Sequence, residues 1–349
     1  MGLSILGHLG FAGGEVAFID QDVVVYLHGN GLAISDLTGL ANVGPTKFVT
    51  NNLDVGPTKF VTNNLECPLG ISAFTTSVPE HLVAFAPRSA EPCIHVLKYP
   101  QLDPLSVLRG GTDLEYESIA ISHNAKMLCA VSGPFDHHLY LWSLEIAQTL
   151  AKVAIGGNLA TPCTWHNCSF SPKNSSMVCT GGSYGLVFWK VQVVNDHKLQ
   201  RINAVIGSQE DAAEDGNVLL DSISAQCWTQ NNLVLAVGRS SVMEFDAQSG
   251  ILTRLFPLAV ALQESLCLFV TAIEEIILLL FSNGIVQGIR TSTSGSTEFM
   301  LNVAKEPCSK YSWCSLLPRR DGLLLSGPGR IQILTLNGAD ASSSKIFAG

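Results

Sequence analysis

A short strand-like motif that returns at near-regular spacing is the feature that most constrains the fold of this chain. Each copy is a turn former followed by an apolar strand, and successive copies start 62, 46, 46, 56, 43 and 46 residues apart. The copies are GLAISDL (31–37), CIHVLKY (93–99), LYLWSLE (139–145), GLVFWKV (185–191), SVMEFDA (241–247), GIVQGIR (284–290) and RIQILTL (330–336). A second apolar strand precedes them, as in LCAVSG, MVCTGG and LVLAVG. The chain is therefore predicted to repeat one strand–turn–strand unit.

A period in the forties that is built from strand pairs is typical of a β-propeller blade. One four-stranded blade cannot bury both of its faces, whereas blades stacked around a closed ring cover each other's faces and protect their edges. The hydrophobic fraction of 47% suits a large core, and the 31 glycines suit many tight turns. Seven copies predict an all-β, seven-bladed WD40-like β-propeller over residues 1–336, with six or eight blades as alternatives.

Two copies of the motif resemble the Trp-Asp strand of WD repeats. LYLWSLE and GLVFWKV carry Ser143 and Lys190 where that Asp would stand. Trp142 and Trp189 occupy matching positions in these strands, so we expect both side chains to pack between blades. The His-Asp networks of WD repeats look incomplete, and we expect blade stability to come mainly from apolar packing.

Twelve residues are repeated almost unchanged near the amino end. VGPTKFVTNNLD (43–54) is followed by VGPTKFVTNNLE (55–66), and removing one copy shortens the 62-residue interval to 50. One copy is expected to supply a strand that begins the blade before GISAFTTS. The second copy is expected to form a surface loop, because lengthening a loop costs little free energy. An extra hairpin is the alternative, and residues 43–66 are predicted to be an insertion.

Two further segments stand outside the repeat. Residues 195–220 are predicted to be a second insertion, whose acidic part SQEDAAEDG (208–216) indicates a mobile loop at the rim. A docking site for a basic partner is the alternative reading of that acidic stretch. The tail, residues 337–349, is predicted to be disordered.

Charge and cysteine use exclude several classes of function. The formal net charge is −9 and the 20 Lys and Arg residues are scattered, so nucleic acid and anionic membrane are not expected as partners. The ten cysteines form no Cys-x-x-Cys and often lie in apolar runs, which indicates buried thiols in a reducing compartment. The start of the chain does not resemble a secretory signal.

The longest apolar stretch, Leu266–Phe281, is too short for a membrane-spanning helix and has Glu274 and Glu275 in its middle. It predicts two strands that meet near the Glu pair, followed by a hairpin turn at Ser282–Gly284. We expect a soluble cytosolic protein.

Candidate chemistry is sparse. Cys163, His166 and Cys168 lie within six residues, but they do not converge on one side of a strand, and zinc needs four ligands. Asp136 and His138 fall where a turn needs polar residues in any case. The one Gly-x-Ser-x-Gly match, GGSYG (181–185), lies between two strands of the repeat and not at the strand-to-helix turn of a nucleophile elbow, and the sequence contains no phosphate-binding loop. We therefore predict no catalytic residues, no metal and no cofactor, with an enzyme site in the central channel as the alternative.

A binding surface, by contrast, can be placed on the turns that follow the second strand of each blade. These turns lie together on one face of a propeller, where loops meet partners. The candidate protein-binding residues are Phe135, Asp136, His137, Tyr184 and Arg239.

The order of several segments resembles a known family. CIHVLKYPQL, LYLWSLEI, CSFSPKNSSMVCTGGSYGLVFWKV and AQCWTQNNLVLAVGRSSVMEFDAQSG, within residues 20–290, are similar to the WD-repeat region of cilia- and flagella-associated protein 43, to which protein 44 is related. The resemblance implies a non-catalytic scaffold of the ciliary or flagellar axoneme, similar to components of the tether of the inner dynein arm. It implies axonemal proteins as partners and location in the cytoskeleton of the cilium or flagellum. Family members are far longer, and a fragment of a longer protein and an incomplete gene model are the two alternative readings of this shorter chain.

A WD-repeat adaptor of another pathway is the alternative function. A ubiquitin-ligase substrate receptor or a trafficking scaffold would use the same blade pattern, and only the partners recovered with the chain would separate these readings.

Overall fold

The computed structural model of the chain consists almost wholly of short antiparallel strands. The residues that it describes are 16–28, 30–36, 59–60, 69–113, 115–133, 136–155, 165–183, 185–193, 197–205, 222–292, 295–301, 315–319, 322–327, 330–335 and 344–348. Within these residues the strands form seven four-stranded sheets, each built from four consecutive strands. The prediction of an all-β propeller is confirmed.

The bounds of the strands follow the chain from sheet to sheet. The first sheet contains β1 (Val16–Asp20), β2 (Val23–His28), β3 (Gly31–Asp36) and β4 (Lys59–Phe60). The second contains β5 (Ile71–Ser77), β6 (Leu82–Pro87), β7 (Ile94–Lys98) and β8 (Asp103–Leu108). The third contains β9 (Tyr116–Ile121), β10 (Met127–Ser132), β11 (His138–Ser143) and β12 (Gln148–Ala154). The fourth contains β13 (Trp165–Phe170), β14 (Met177–Gly182), β15 (Gly185–Val193) and β16 (His197–Asn203).

The remaining three sheets repeat the same order. The fifth contains β17 (Ala225–Trp228), β18 (Leu233–Val237), β19 (Ser241–Asp246) and β20 (Leu252–Pro257). The sixth contains β21 (Cys267–Ile273), β22 (Ile276–Phe281), β23 (Val286–Ser292) and β24 (Gly295–Leu301). The seventh contains β25 (Ser315–Arg319), β26 (Gly322–Gly327), β27 (Arg330–Thr335) and β28 (Ser344–Ala348).

The recurring motif marks the third strand of every sheet, from β3 to β27, and the apolar strand before it is the second strand. Second strands are buried on both sides because each sheet lies between two neighbours: all six residues of β14 and five of the six in β10 and β22 are buried. A strand that is buried on both faces is apolar without interruption rather than at alternate positions. This explains why the second strands read as continuous apolar runs.

Apolar contacts join each sheet to the next. Trp142 of the third sheet packs in one cluster with Ala84 and Val96 of the second, and Trp189 of the fourth packs with Cys129 and Leu141 of the third. Full burial of one large apolar side chain is worth roughly 1.5–3 kcal/mol. The expectation that both tryptophans pack between blades is confirmed.

Several predictions about the segments between the motifs were wrong. Lys59–Phe60, in the second copy of the duplicated segment, forms β4 and ends the first sheet, whereas we expected a copy to begin the next one. β16 lies inside the predicted insertion 195–220, and β28 lies inside the tail predicted to be disordered. All three are fourth strands, which pair on one side only. The first copy of the duplication and the acidic stretch 208–216 lie outside the described residues.

The interpretation of Leu266–Phe281 as two strands is confirmed. β21 and β22 pair around Glu274–Glu275, and the amide of Gly284 donates a 2.8 Å hydrogen bond to the carbonyl of Phe281 in the next turn. No helix in the described part of the chain is both long enough and apolar enough to cross a membrane.

Candidate protein-binding face

The strands alternate in direction, so the turns fall into two sets at opposite ends of the sheets. We call the upper face the end that carries the turns between second and third strands and the connections from one sheet to the next. The lower face carries the turns between first and second strands and between third and fourth strands. Of the five predicted binding residues, Asp136, His137 and Arg239 lie in upper-face turns.

The structure assigns different surroundings to these five residues. Arg239 is exposed in the turn between β18 and β19. Asp136 is partly buried, and His137 is buried with only 5% of its surface exposed, at a φ of 46°. Phe135 and Tyr184 lie outside the described residues. A role in binding therefore stays a prediction for Arg239 and for the partly exposed Asp136. The side chain of His137 is buried in the blade.

Asp136 is held by its own blade. One carboxylate oxygen, Oδ1, lies 2.9 Å from Nδ1 of His138, and the other, Oδ2, accepts a 3.0 Å hydrogen bond from the hydroxyl of Tyr140. Burial raises the pKa of Asp136, but hydrogen bonds from Thr112, Tyr140 and Ser132 and the positive potential of His138 outweigh it and hold the pKa below its usual value. The carboxylate thus fixes the turn between β10 and β11.

Aromatic rings pack beneath this turn. Tyr140 stacks on Trp142 with 5.3 Å between ring centroids, and Tyr116 meets Trp142 edge-on at 6.0 Å. Lys152 places its Nζ 4.9 Å from the centroid of the Tyr140 ring on the outer side. Burial raises the pKa of Tyr116 to about 12, so its hydroxyl stays protonated. Tyr116, Tyr140 and Trp142 thus form a packed aromatic core beneath the turn.

The connection between the fifth and sixth sheets supplies exposed apolar side chains that sequence reasoning missed. Val260, in a 3₁₀ turn at Val260–Leu262, is 81% exposed, and Leu266 is 56% exposed, whereas Leu262 is buried. The amide of Leu258 donates to the carbonyl of Ser240 at 2.8 Å, next to Arg239. Asn283 Nδ2 donates to Ser265 Oγ at 2.9 Å from the following blade. Both ends of the connection are therefore tied to upper-face turns.

The sequence of this connection, PLAVALQESL (257–266), begins with an apolar run that reads as a continuation of β20, so it does not indicate that Val260 is exposed. We name Arg239, Val260 and Leu266 the upper-face patch.

Polar side chains on the inner strands bond across the blade boundaries. The hydroxyl of Thr76 on β5 donates to the carbonyl of Phe18 on β1 at 2.6 Å, and the amide of Cys168 on β13 donates to Ser118 Oγ on β9 at 3.0 Å. Trp228 Nε1 on β17 donates to Ser169 Oγ on β13 at 3.0 Å. Each of these donors finds its hydrogen-bond acceptor on the neighbouring sheet, so the bonds help to hold adjacent blades together.

Thiols line the same boundaries. The sulfur atoms of Cys129 on β10 and Cys168 on β13 lie 3.8 Å apart and both residues are buried. Burial raises the pKa of the Cys129 thiol well above its usual value, and that of Cys267 to about 12. Cys129 and Cys267 are therefore protonated and unreactive at neutral pH. Among the residues that the structure describes, no three His, Cys, Asp or Glu side chains are grouped so as to hold a metal ion.

The solved structures that resemble this chain establish its class. The β-propeller domain of Cps50 (Swd1) from Myceliophteria thermophila matches with a TM-score of 0.59 at 11% identity, covering 80% of this chain and 86% of that one. A chain of the mitotic checkpoint complex matches with a TM-score of 0.62 at 10% identity, covering 97% and 90%. At such identities the likeness shows the fold alone. The chain is a β-propeller.

Curated relatives are more specific, and the resemblance found in the sequence is confirmed. The chain is 24% identical over 221 residues to cilia- and flagella-associated protein 43 of Xenopus laevis, which covers 63% of this chain and 12% of that protein. It is 30% identical over 107 residues to cilia- and flagella-associated protein 44 of Chlamydomonas reinhardtii, covering 30% and 6%. The matches thus span about an eighth or less of these relatives. No family model matches the chain.

Proposed function

We propose that this chain is a non-catalytic scaffold of the ciliary or flagellar axoneme that binds partner proteins through its upper face. The observation that carries the proposal is the similarity to cilia- and flagella-associated protein 43 over 63% of the chain, on a propeller fold. A rigid ring with loops on two faces binds by shape and polar contact, without turnover. The proposed location is the cytoskeleton of the cilium or flagellum.

The finer part of the proposal concerns the assembly. We propose that the chain contributes to a tether of the inner dynein arm and supports ciliary beating, with other axonemal proteins as its partners. The family resemblance supports this assignment.

The upper-face patch is the proposed contact surface. Val260 and Leu266 present apolar side chains to solvent on a connection whose ends are fixed by hydrogen bonds, so little conformational entropy is lost when a partner covers them. Arg239 adds a positive charge to the patch, and exposed Arg beside apolar anchors is a common composition of binding sites. The lower face also exposes isolated apolar residues, among them Val78 and Ile146, which provide a comparison.

The test expresses the full-length protein that contains this chain, with a tag, in motile ciliated cells. We expect axonemal location and recovery of dynein heavy chains and tether proteins. The variant Arg239→Glu/Val260→Asp/Leu266→Asp should lose these proteins from the pull-down. The matched control Val78→Asp/Ile146→Asp changes exposed residues on the lower face and should retain them.

Two outcomes would contradict the proposal at different levels. Recovery of cullin adaptors or trafficking factors in place of axonemal proteins would overturn the assignment to the cilium. Axonemal recovery that the lower-face control abolishes and the upper-face variant leaves intact would overturn the choice of face only.

A further inference from the structure

The described part of the fourth sheet is positively charged, although the formal net charge of the chain is −9. Residues 165–183, 185–193 and 197–205 contain four Lys and Arg residues and no Asp or Glu. Lys190 and Lys198 are exposed, and neither belongs to an ion pair of the described residues. The fourth sheet therefore presents positive charge that the carboxylates of the described residues do not neutralise.

The two lysines lie on the same side of the sheet. In the pairing of β15 with β16, Lys190 stands opposite Gln200 and Gln192 stands opposite Lys198. Side chains two residues apart on a strand point to the same face, so these four residues form one group with the lysines on a diagonal, roughly 7–8 Å apart. Gln192 Nε2 donates a hydrogen bond to Gln200 Oε1 along the other diagonal. We call these four residues the basic plate.

The basic plate borders an edge of the sheet. β16 is the last strand in the order β13-β14-β15-β16, and all seven of its residues pair with β15. The other face of β16 is occupied, because Leu199 packs with residues of the third sheet and Arg201 donates to the carbonyl oxygen of Ile155 at 3.3 Å. Within the described strands, none pairs with the outer edge of β16. Backbone N–H and C=O groups along that edge are therefore available to an added strand.

We propose that the outer edge of β16 and the basic plate bind an extended, acidic segment of a partner protein. Lysine on a sheet edge repels a second edge of the same kind but attracts a strand that carries carboxylates. A carboxylate opposite Lys198 meets its ammonium group directly. A second carboxylate, two residues along the segment, lies about 7 Å further on, opposite Gln200 and within reach of Lys190 on the strand behind. The sequence that fits has acidic residues at alternate positions.

The sheet edge favours a peptide over a nucleic acid as the ligand. An extended peptide forms backbone hydrogen bonds to an edge strand in addition to ion pairs, whereas a nucleic acid has no matching backbone. The net charge of −9 also repels polyanions at long range, so the attraction is confined to this surface. The surface lies toward the lower ends of β15 and β16, where the turn between β13 and β14 adds the exposed Lys173. It is separate from the upper-face patch.

The first test measures binding of a fluorescein-labelled peptide to the full chain by fluorescence anisotropy. The peptide has Glu and Thr in alternation, and a second peptide of the same composition has its Glu residues three positions apart, so that they fall on alternate sides of a strand. We expect the alternating peptide to bind more tightly and its affinity to fall with added salt. Lys190→Glu/Lys198→Glu should weaken this binding at least about fivefold, because repulsion replaces each ion pair.

The matched control is Arg109→Glu/Lys126→Glu, which makes the same change in net charge at exposed positions of other sheets. This control should keep the affinity for the alternating peptide within about twofold, because salt screens charges at a distance. Carbodiimide coupling supplies a second readout, since it joins a bound Glu carboxylate to a nearby Lys amine as an amide. Mass spectrometry should find the alternating peptide on Lys190 or Lys198 and not on Lys126.

Three results would overturn the proposal: no binding of the alternating peptide, equal weakening by the control variant, or no coupling at the basic plate. A single-stranded oligonucleotide of equal charge is the remaining comparison. Tighter binding of the oligonucleotide than of the peptide, lost in Lys190→Glu/Lys198→Glu, would overturn the choice of ligand and assign the surface to phosphate groups.

Discussion

Trp189 donates its indole N–H to the hydroxyl of Thr180 at 2.9 Å, and both side chains are fully or almost fully buried. Thr180 lies on β14 and Trp189 lies on β15, the second and third strands of the fourth sheet. The hydrogen bond therefore joins two adjacent strands of one blade. Trp142 occupies the matching place in the third sheet, but Ala130 stands there in place of the threonine. Its indole nitrogen accordingly has no hydrogen-bond partner among the described residues.

The first prediction is that Thr180→Val destabilises the protein. Valine keeps the volume of threonine but leaves the buried indole N–H of Trp189 without an acceptor, which costs about 1–3 kcal/mol. Urea unfolding followed by circular dichroism measures this loss. Thr180→Ser is the matched control because it keeps the hydroxyl, and a valine variant as stable as the serine variant would contradict the role given to the bond.

A second prediction concerns Gly250, which has a φ of +76° and follows the third strand of the fifth sheet. A methyl group there would overlap the carbonyl oxygen of Asn203 in the preceding sheet. Gly250→Ala adds this overlap to the strain of the left-handed backbone, which alone costs about 1–3 kcal/mol. The midpoint of thermal unfolding should fall.

Gly110→Ala is the control for that measurement, since Gly110 has a similar φ of +74° and no atom within 4 Å of an added methyl group. It isolates the backbone strain. We expect Gly250→Ala to be the more destabilising of the two, and equal effects would show that the contact with Asn203 is relieved at no cost.

The third prediction is a pH dependence that originates at Asp136. Its pKa in the folded protein lies below its usual value, so the unfolded chain binds the proton more tightly. The stabilisation is therefore complete above the unfolded pKa of about 3.9 and is lost as the pH falls through the lower folded value. Asp136→Asn should reduce stability at pH 7, and the difference from the wild type should shrink below about pH 4. A difference that does not change with pH would argue against ionisation as its source.

Thiol accessibility gives a fourth prediction. Cys129, Cys168, Cys179 and Cys267 are buried, whereas Cys93 is only partly so. Iodoacetamide at pH 8 should alkylate Cys93 faster than these four in the folded protein, because the reaction needs an accessible thiolate. Peptide mass spectrometry reads out each site, and denaturation in urea should make the rates similar. Early alkylation of Cys129 would mean that the boundary between the third and fourth blades opens.

Sequence reasoning located the inner part of each blade better than its rim. The third strands were found because each, like GLVFWKV in β15, combines a turn signal with an apolar core. Fourth strands such as β16 (HKLQRIN) and β12 pair on one side only and face solvent, so their polar residues carry no apolar pattern. For that reason β16 was read as part of an insertion, and β12 was not predicted.

The candidate face was predicted in part. Position after a second strand was enough to place Asp136 and Arg239 on the upper face, but not to show that the ring of His137 turns inward. His137 also has a left-handed φ in this turn, which histidine adopts only in particular contexts and which the sequence pattern does not indicate. Val260 and Leu266 were missed because apolar residues next to a strand resemble its continuation, and only the tertiary structure shows them exposed.

Each described sheet is made of strands that follow one another in the chain, and β25 of the last sheet contacts β1 of the first. In the described strands the junction between these sheets is thus made by packing, with no hydrogen-bonded strand that crosses it. A pulling force applied near β1 and β28 would load this junction before any sheet is sheared. The ring would then open between the seventh and the first sheet while each sheet keeps its hydrogen-bonded strands.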